Sequence, residues 1–513
     1  MSTRLLTAPA RRALASCLVA LGCAAAAPTA SAAGDELTIA YPVDLPTWDP
    51  TAGTFPAGQS LYKAVFDSPL MINDKLEVTP RLIKSWKWLD DKNTSLDIVL
   101  RDDVTFQDGS KLTTEDFKYS FLDRPLADKK LVIGSTFTSK FASIDIKSPT
   151  EAVLNFKNPM PTAPNWLGFL TAYILPKAYI EKVGVDQFLE HPIGAGPYKL
   201  VSYERGSRAV LEAYDGYWGP KPAIKRVVFD FVPDTSARVA MLESGRADVA
   251  VQIPVREVNR LAKTDAIAAK VYPYTQVFML QMPSYVPELQ NEHVRQAMQL
   301  AIDKQALSRA FYANSAKPIS VLALPGTPAY VDGFDVKFDK KAAAAELAQA
   351  GYGPGKPLEI HFLSANGSVP GDYEMARAIV QMWSQIGIKA DLEEVTLAKY
   401  LDLSHSGKLP GPMLYSWDNA TGDPEIFSGM ILNPSLPFSA WKQPELADTF
   451  KQLAAMGQDQ RIAGYRDVEK KATENAWSIP LLQSVSTIAY KKSLNLSTYQ
   501  TGYIMPQEYS WKK

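Results

Sequence analysis

Beyond residue 23 the chain contains no cysteine; its only two, Cys17 and Cys23, lie near the start of 513 residues. The rest of the sequence therefore offers no disulfide, no cysteine nucleophile and no thiolate metal site. Histidine is scarce too. His191, His293, His361 and His405 never fall at helical or loop ligand spacing, so no metal site and no cofactor is expected. Charge is balanced: 54 basic and 55 acidic residues give a formal net charge of −1. That excludes the basic footprint of a nucleic-acid binder. Long apolar runs are missing beyond the N-terminus. The longest candidate, Trp166 to Leu175, stops at Pro176 and reads as a buried segment rather than a membrane span. Neither H-E-x-x-H nor G-x-S-x-G occurs. The glycines around Gly351–Lys356 are too closely spaced for a phosphate loop, and Pro357 follows the lysine. These gaps argue for a non-enzyme, with no catalytic residues, and leave a secreted hydrolase as the weakest competing class.

What is present begins with an export signal. Arg4, Arg11 and Arg12 form a positive region, Ala13–Ala27 an apolar stretch, and Ala30-Ser31-Ala32 a cleavage site. Residues 1–33 are thus expected to be a signal peptide. Its removal takes three arginines and both cysteines, leaving 51 basic and 55 acidic residues, a net of −4. A thiol-free chain suits an oxidising periplasm. Lipoprotein anchoring at Cys23 is the lesser alternative, because Leu21 before Gly22-Cys23 fits that pattern badly.

The length suggests about three domain-sized units. Local patterns are mixed α/β. Leu358, Ile360 and Phe362 alternate as in a strand. Met375, Ile379, Met382, Trp383 and Ile386 then share one helical face, Gly387 ends the helix, and Ile388, Ala390 and Leu392 alternate again. Strand, helix and strand form a βαβ unit with parallel pairing. Asp339 is placed to cap a helix through Leu347, with Gly351 just past its end. Thr113 and Asp116 form a capping box, with Phe117 and Phe121 stacked at i,i+4. Val294, Ala297, Met298, Ala301 and Ile302 make another apolar face, and Asp303 caps the helix that follows. Near residue 275 the chain crosses between units, with Gln276–Met282 extended as a hinge strand before Pro283.

Six segments in order then resemble the family 5 extracellular solute-binding proteins, the class with dipeptide-, oligopeptide- and nickel-binding members. They are Phe106-Gln107-Asp108-Gly109 with Leu112–Phe117; Ile193-Gly194-Ala195-Gly196-Pro197-Tyr198; Tyr214–Gly219 with its Tyr217-Trp218 pair; Val294-Arg295-Gln296-Ala297 with Ala301-Ile302-Asp303; Ala344–Tyr352; and Ile386-Gly387-Ile388. Gly194 and Gly196 are expected to free the backbone for a tight turn. Tyr217 and Trp218 are expected to anchor packing.

The resemblance implies an α/β fold of the periplasmic-binding-protein type: two lobes joined by a hinge, with an extra domain inserted in lobe one. Lobe one would hold 34–67, 190–275 and 485–513, the insertion 68–189, and lobe two 276–484. It implies a monomeric periplasmic receptor that closes around a peptide or other small solute and delivers it to the permease subunits of an ABC importer. A chemoreceptor role would be compatible with transport. Cleft residues would come from a polar loop, Tyr415–Pro424, with Trp417 stacking on solute and Asp418 accepting from an ammonium group, beside Tyr415 and Asn419. Thr54 and Phe55 from the N-terminal segment, and Gln276 near the hinge, are further candidates. Asp423-Pro424 would shape the turn. Two departures matter. Ala420 stands where dipeptide binders place an aspartate for the amine, and Asn366 where they place an arginine for the carboxylate. Enclosing a zwitterion without paired charges would be costly. Asp418 would then replace the missing amine partner. Otherwise the solute is a longer peptide, an oligosaccharide, an opine-like conjugate or a nickel complex.

Overall fold

The alternating Leu358–Phe362 run forms the strand Leu358–Ser364, with Leu358, Ile360 and Phe362 buried. It pairs in parallel with Ile388–Glu394 across the helix Asp372–Ser384, Leu358 opposite Ile388. Trp383 of that helix lies fully buried against Phe362, ring centroids 4.9 Å apart, and its indole donates to the Met298 carbonyl. Helix starts follow the side chains that can cap them. Asp339 accepts from the Ala342 amide and Asp303 from the Ala306 amide. The Thr113–Asp116 capping box forms, and Phe117 stacks on Phe121 at 4.5 Å. Residues 170–176 are buried, in keeping with a covered apolar segment.

A computed structural model describes residues 36–366 and 371–512. The expected export signal, and Cys23 with it, lie outside the described residues. None of the described helices is long and apolar enough to cross a membrane.

One hydrogen-bonded path runs through the strands of both lobes. From lobe two it passes Ile388–Glu394, Leu358–Ser364 and Met413–Asp418 to the long strand Ile267–Gln281. It continues through the 14-residue Ser478–Lys491, then Val249–Val251, Glu36–Tyr41, Arg226–Phe231, Arg208–Ala213 and Tyr198–Glu204. The expected short hinge strand is thus the end of a 15-residue strand that stops at Gln281. The two long strands are antiparallel and belong to both lobes. Their register runs Ile267↔Lys491 to Pro273↔Val485, shifts, and resumes at Val277↔Gln483. Tyr274, Thr275 and Gln276 occupy that shift. A break in ladder pairing bends a strand and loosens it locally, which places the pivot here.

Separate hydrophobic cores lie on the two sides. One gathers Leu37, Ile39, Tyr62, Tyr173, Phe188, Phe229 and Ile488. A second, around the sheet Ile83–Trp88, Ser95–Leu100, Glu151–Phe156 and Phe141–Ser148, includes Phe117, Phe121 and Leu154. The largest spans Val277 to Leu482. Two details cut across sequence order: Tyr173, Leu175, Ile180 and Phe188 pack into the first core, and Ile72 and Leu76 into the third.

The Ile193–Tyr198 turn shows why its glycines are needed. Neither Gly194 nor Gly196 has positive φ, so the reason is space rather than the expected backbone freedom. A Cβ on Gly194 would lie 2.4 Å from the Val65 carbonyl oxygen, and one on Gly196 2.5 Å from that of Ala64. The turn lies flat on the end of the helix Gln59–Val65, and the buried Gln107 amide ties the two by donating to the Val65 and Tyr198 carbonyls. Gly196→Ala must push backbone from backbone. We expect a loss of about 1–3 kcal/mol or more in a denaturant titration; an unchanged midpoint would contradict the close approach. Tyr217 and Trp218 are packing residues that also hold charge: both donate to Asp67, and Arg101 lies 4.4 Å over the Trp218 ring.

Candidate ligand-binding cleft

The strand Met413–Asp418 begins with Met413 and Leu414 buried and continues with Tyr415, Ser416 and Trp417, residues suited to a half-buried strand. It pairs antiparallel with the end of the hinge strand, Gln276 opposite Asp418 and Val277 opposite Trp417. This corrects the expected loop: Tyr415 to Asp418 are strand, and only from Asn419 does the chain turn. It also separates two residues read together. Side chains of successive strand residues point to opposite faces. Trp417 packs edge-on against Phe438 at 5.0 Å and beside Tyr415, which stacks on Tyr400 at 4.4 Å. Asp418 points the other way.

Asp418 ends up at the pivot. Its Oδ1 accepts from the Thr275 hydroxyl, while the Asn419 amide donates to the Thr275 carbonyl at 2.9 Å. Its Oδ2 is enclosed and has no hydrogen-bond partner among the described residues. Burial pushes the carboxyl up to about 6, partly opposed by the Thr275 hydroxyl. Burial, and next the Asp418 charge, raises Tyr274 and Tyr503 well above the ordinary tyrosine range; Tyr41 is within electrostatic reach of both. Neither the Tyr274 nor the Tyr503 hydroxyl makes a hydrogen bond among the described residues. Gly502 lets the two tyrosines' segments meet: its φ is +72°, and a Cβ there would lie 3.1 Å from the Tyr274 ring. An enclosed acceptor without a donor among the described residues thus lies in electrostatic reach of two phenols, a concentration of polar groups where the strands of the two lobes meet.

The other expected residues fall out as follows. Gln276 is beside Asp418 and donates a long 3.4 Å hydrogen bond to Ser416. With Phe278, Ala365, Tyr400, Tyr415 and Ser416 it lines a cavity of about 160 Å³ leading from the pivot into lobe two. Asn419 is buried and its side chain accepts from Thr421 within the turn. Asn366 is exposed and donates to Glu394 at 3.2 Å, so it lies among acidic groups and is poorly placed to receive a carboxylate. Thr54 is exposed. Phe55 packs on the first core with its ring folded over Gly53, and its carbonyl accepts from Gln59, which in turn accepts from Tyr173. The N-terminal segment is thus tied through Gln59 to Tyr173. Thr275, Tyr274, Tyr503 and Tyr41 were not read from the sequence. The signal available was Tyr272-Pro273-Tyr274 at the crossing, where a proline interrupts a long strand between two aromatics.

A larger depression of about 390 Å³, lined by Tyr373, Arg377, Val380, Gln381 and Leu392, lies at the outer edge of lobe two. It contains no enclosed polar atom lacking a partner and is distant from the pivot strands in the sheet order. Among the described residues no group of three or more His, Cys, Asp or Glu side chains is arranged to hold a metal ion.

Across the cleft, the turn after Asp418 reaches the opposite wall. Asn165 donates to the Thr421 carbonyl at 3.3 Å and Thr162 to Glu425 at 3.4 Å. Gly422, at φ +66°, lies so close to Leu76 that a Cβ would sit 2.9 Å from it. Asp423 shapes the turn, as its sequence position suggested, through the fully buried Arg461: two hydrogen bonds, at 2.9 and 2.5 Å. Burial and the adjacent Asp423 push Glu425 up to about 7, opposed by Arg461 and Lys140.

Two lobes sharing a pair of long strands, with an enclosed carboxylate oxygen lacking a partner among the described residues where they join, have the layout of a solute receptor. The comparisons agree: the chain belongs to the bacterial extracellular solute-binding proteins, family 5, whose family model, described as the "Middle" part, matches residues 77–436. It is 27% identical to the dipeptide-binding protein of Escherichia coli K12 over 380 residues, 70% of each chain. It is 25% identical to the glutathione-binding protein GsiB of the same strain over 504 residues, 95% of this chain and 96% of that one. In fold it resembles NikA from Brucella suis, solved with Fe(III)-EDTA, with a TM-score of 0.83 at 21% identity over 93% of this chain and all of that one. It also resembles the Helicobacter pylori DppA solved with the peptide STSA, with a TM-score of 0.78 at 20% identity over 93% and 98% of the two chains. The family is one of binding proteins, which agrees with the absence of catalytic motifs.

Proposed function

We propose that this chain is the periplasmic, monomeric receptor of an ABC importer, and that it captures a peptide or peptide-like solute by its ammonium group and delivers it to the membrane permease subunits. The observation that supports the reading is the enclosed Asp418 Oδ2, which has no partner among the described residues at the place where the long strands of the two lobes meet. An ammonium group supplies the donors that this oxygen lacks, and the relatives named for dipeptide and glutathione binding make peptides the first class to test. The lobe limits read from the sequence are supported by the separate cores, with 173–189 leaning on lobe one. Closure follows because a solute touching both lobes binds the closed form more tightly than the open one.

The pH dependence separates this from a neutral solute such as an oligosaccharide. Only ionised Asp418 attracts an ammonium group. The carboxyl of the empty receptor sits at about 6. Affinity for unblocked peptides should therefore be highest between about pH 6 and 7.5, fall by about tenfold per unit below that window, and decline again near pH 8 as the peptide's own ammonium, at about 7.7–8.0, loses its proton. Calorimetry of a dipeptide library between pH 4.5 and 8 reads this directly. Affinity that is unchanged or rises on acidification would remove the ammonium from the site and favour a hydroxylated solute.

A further inference from the structure

Lys63 is a buried charge that the solute-capture reading leaves unexplained. It projects from the helix Gln59–Val65 of lobe one and is 6% exposed. Its ammonium lies 5.7 Å from the centroid of Tyr173 and 5.5 Å from that of Tyr503. A lysine has three donors. Among the described residues this one makes a single long hydrogen bond, 3.4 Å to Ser68 Oγ, and no ion pair. The carboxylate four residues on is taken: Asp67 accepts from Arg81 at 2.8 Å, from the Ser68 amide at 2.9 Å, and from Tyr217 and Trp218 at 3.3 Å. A buried cation without a counter-ion is costly unless something else satisfies it. Burial lowers Lys63 to about 8, with Asp67 only partly opposing it.

Tyr503 links this group to Asp418. The lysine sits by its ring; the adjoining Gly502 lies against the Tyr274 ring, the Thr275 amide donates to the Gln500 carbonyl at 2.9 Å, and the Thr275 hydroxyl donates to Asp418. Two under-satisfied charges of opposite sign, one from each lobe, therefore flank one tyrosine. Phe169, Met71, Leu170 and Met505 share a small apolar cluster with that tyrosine.

We propose that Lys63 is the anion-receiving end of the binding site, taking the carboxylate of a zwitterionic solute whose ammonium is held by Asp418. This rests on the ammonium assignment above and extends it to a solute class: short peptides or amino-acid conjugates with both ends free. It also gives closure a mechanism. Each end of the solute is held by a different lobe, so the full interaction exists only when the lobes meet.

The test uses three matched peptide libraries, dipeptides and tripeptides with free ends, with amidated C-termini and with acetylated N-termini, titrated by calorimetry into wild-type protein, Lys63→Met and Lys63→Arg. Wild type should bind free peptides about a hundredfold more tightly than amidated ones. Lys63→Met should lose that difference while still rejecting acetylated peptides, and Lys63→Arg should recover part of it. If wild type binds free and amidated peptides equally but rejects acetylated ones, the Lys63 proposal falls and the Asp418 reading stands. If free and acetylated peptides bind equally, the Asp418 reading falls. If no library binds, both fall. The wild-type comparison decides even if Lys63→Met does not fold.

Discussion

Asp418→Asn is expected to weaken binding of free-ended peptides by roughly thirtyfold to several thousandfold, the range for removing one partner of an enclosed charge pair. The same change should leave the empty protein as stable as before or more so. The sign follows from the carboxyl's position. In the folded, empty protein it sits at about 6, above the value of about 3.9 for an exposed aspartate. The folded state thus binds this proton more tightly than the unfolded state. Ionised Asp418 costs stability progressively as pH rises from about 4 through 6, and that cost remains in full at neutral pH. Asparagine removes the charge and with it the cost. Opposite movements, a melting point that holds or rises and a ligand-induced shift that disappears, mark a residue kept for binding rather than for the fold. A ligand-free melting point that drops together with retained affinity would make Asp418 a structural link to Thr275 and no more.

Arg461→Ala, in the helix Gln458–Glu474 that backs the cleft turn, should cost about 3–5 kcal/mol of stability, because it strands a buried carboxylate. Arg461 is fully buried, its guanidinium gripping Asp423 and reaching Glu425 at 3.4 Å. Without it, Asp423 and Glu425 would face each other with no cation from their own lobe. For a lobe of this size the melting temperature should fall by roughly 6 °C or more. Calorimetric melting of the variant checks it. A shift within about 1 kcal/mol would show that water or Lys140 satisfies the pair, and that the turn carrying Gly422 against Leu76 does not depend on this ion pair. Because that turn makes the contacts with Asn165 and Thr162, its loosening should also weaken capture.

The contrast between these residues explains what could be read from the chain alone. The βαβ unit at 358–394 and the caps at Thr113, Asp303 and Asp339 depend on neighbours within a few positions, so period and spacing reveal them. The family motifs are of the same kind: Gly194 and Gly196 stand where backbones touch, whatever solute is bound. The cleft is not local. Thr275, Asp418 and Tyr503 are separated by more than eighty residues at each step, and only the pairing of Gln276 with Asp418 and the return of the C-terminal segment bring them together. Asp418 stands among the candidates because the family resemblance extends to the segment that ends in Asp423-Pro424. Its partners do not, since nothing in Tyr272-Pro273-Tyr274 or Tyr503 specifies what they face. For Trp417 the structure changes the element and not the candidacy. Read as loop it could share a surface with Asp418; as strand it points to the opposite side. Asn366 shows a similar limit, since its partner Glu394 comes from the neighbouring parallel strand.

Small-angle scattering on the empty protein and on the same sample saturated with a free-ended peptide that it binds is the most direct check on closure around a solute. The radius of gyration should fall on addition, recover on dialysis, and the peptide should be recovered chemically unaltered. A scattering curve identical in both states, or a peptide returned cleaved, would contradict a receptor that works by folding its two lobes over a guest.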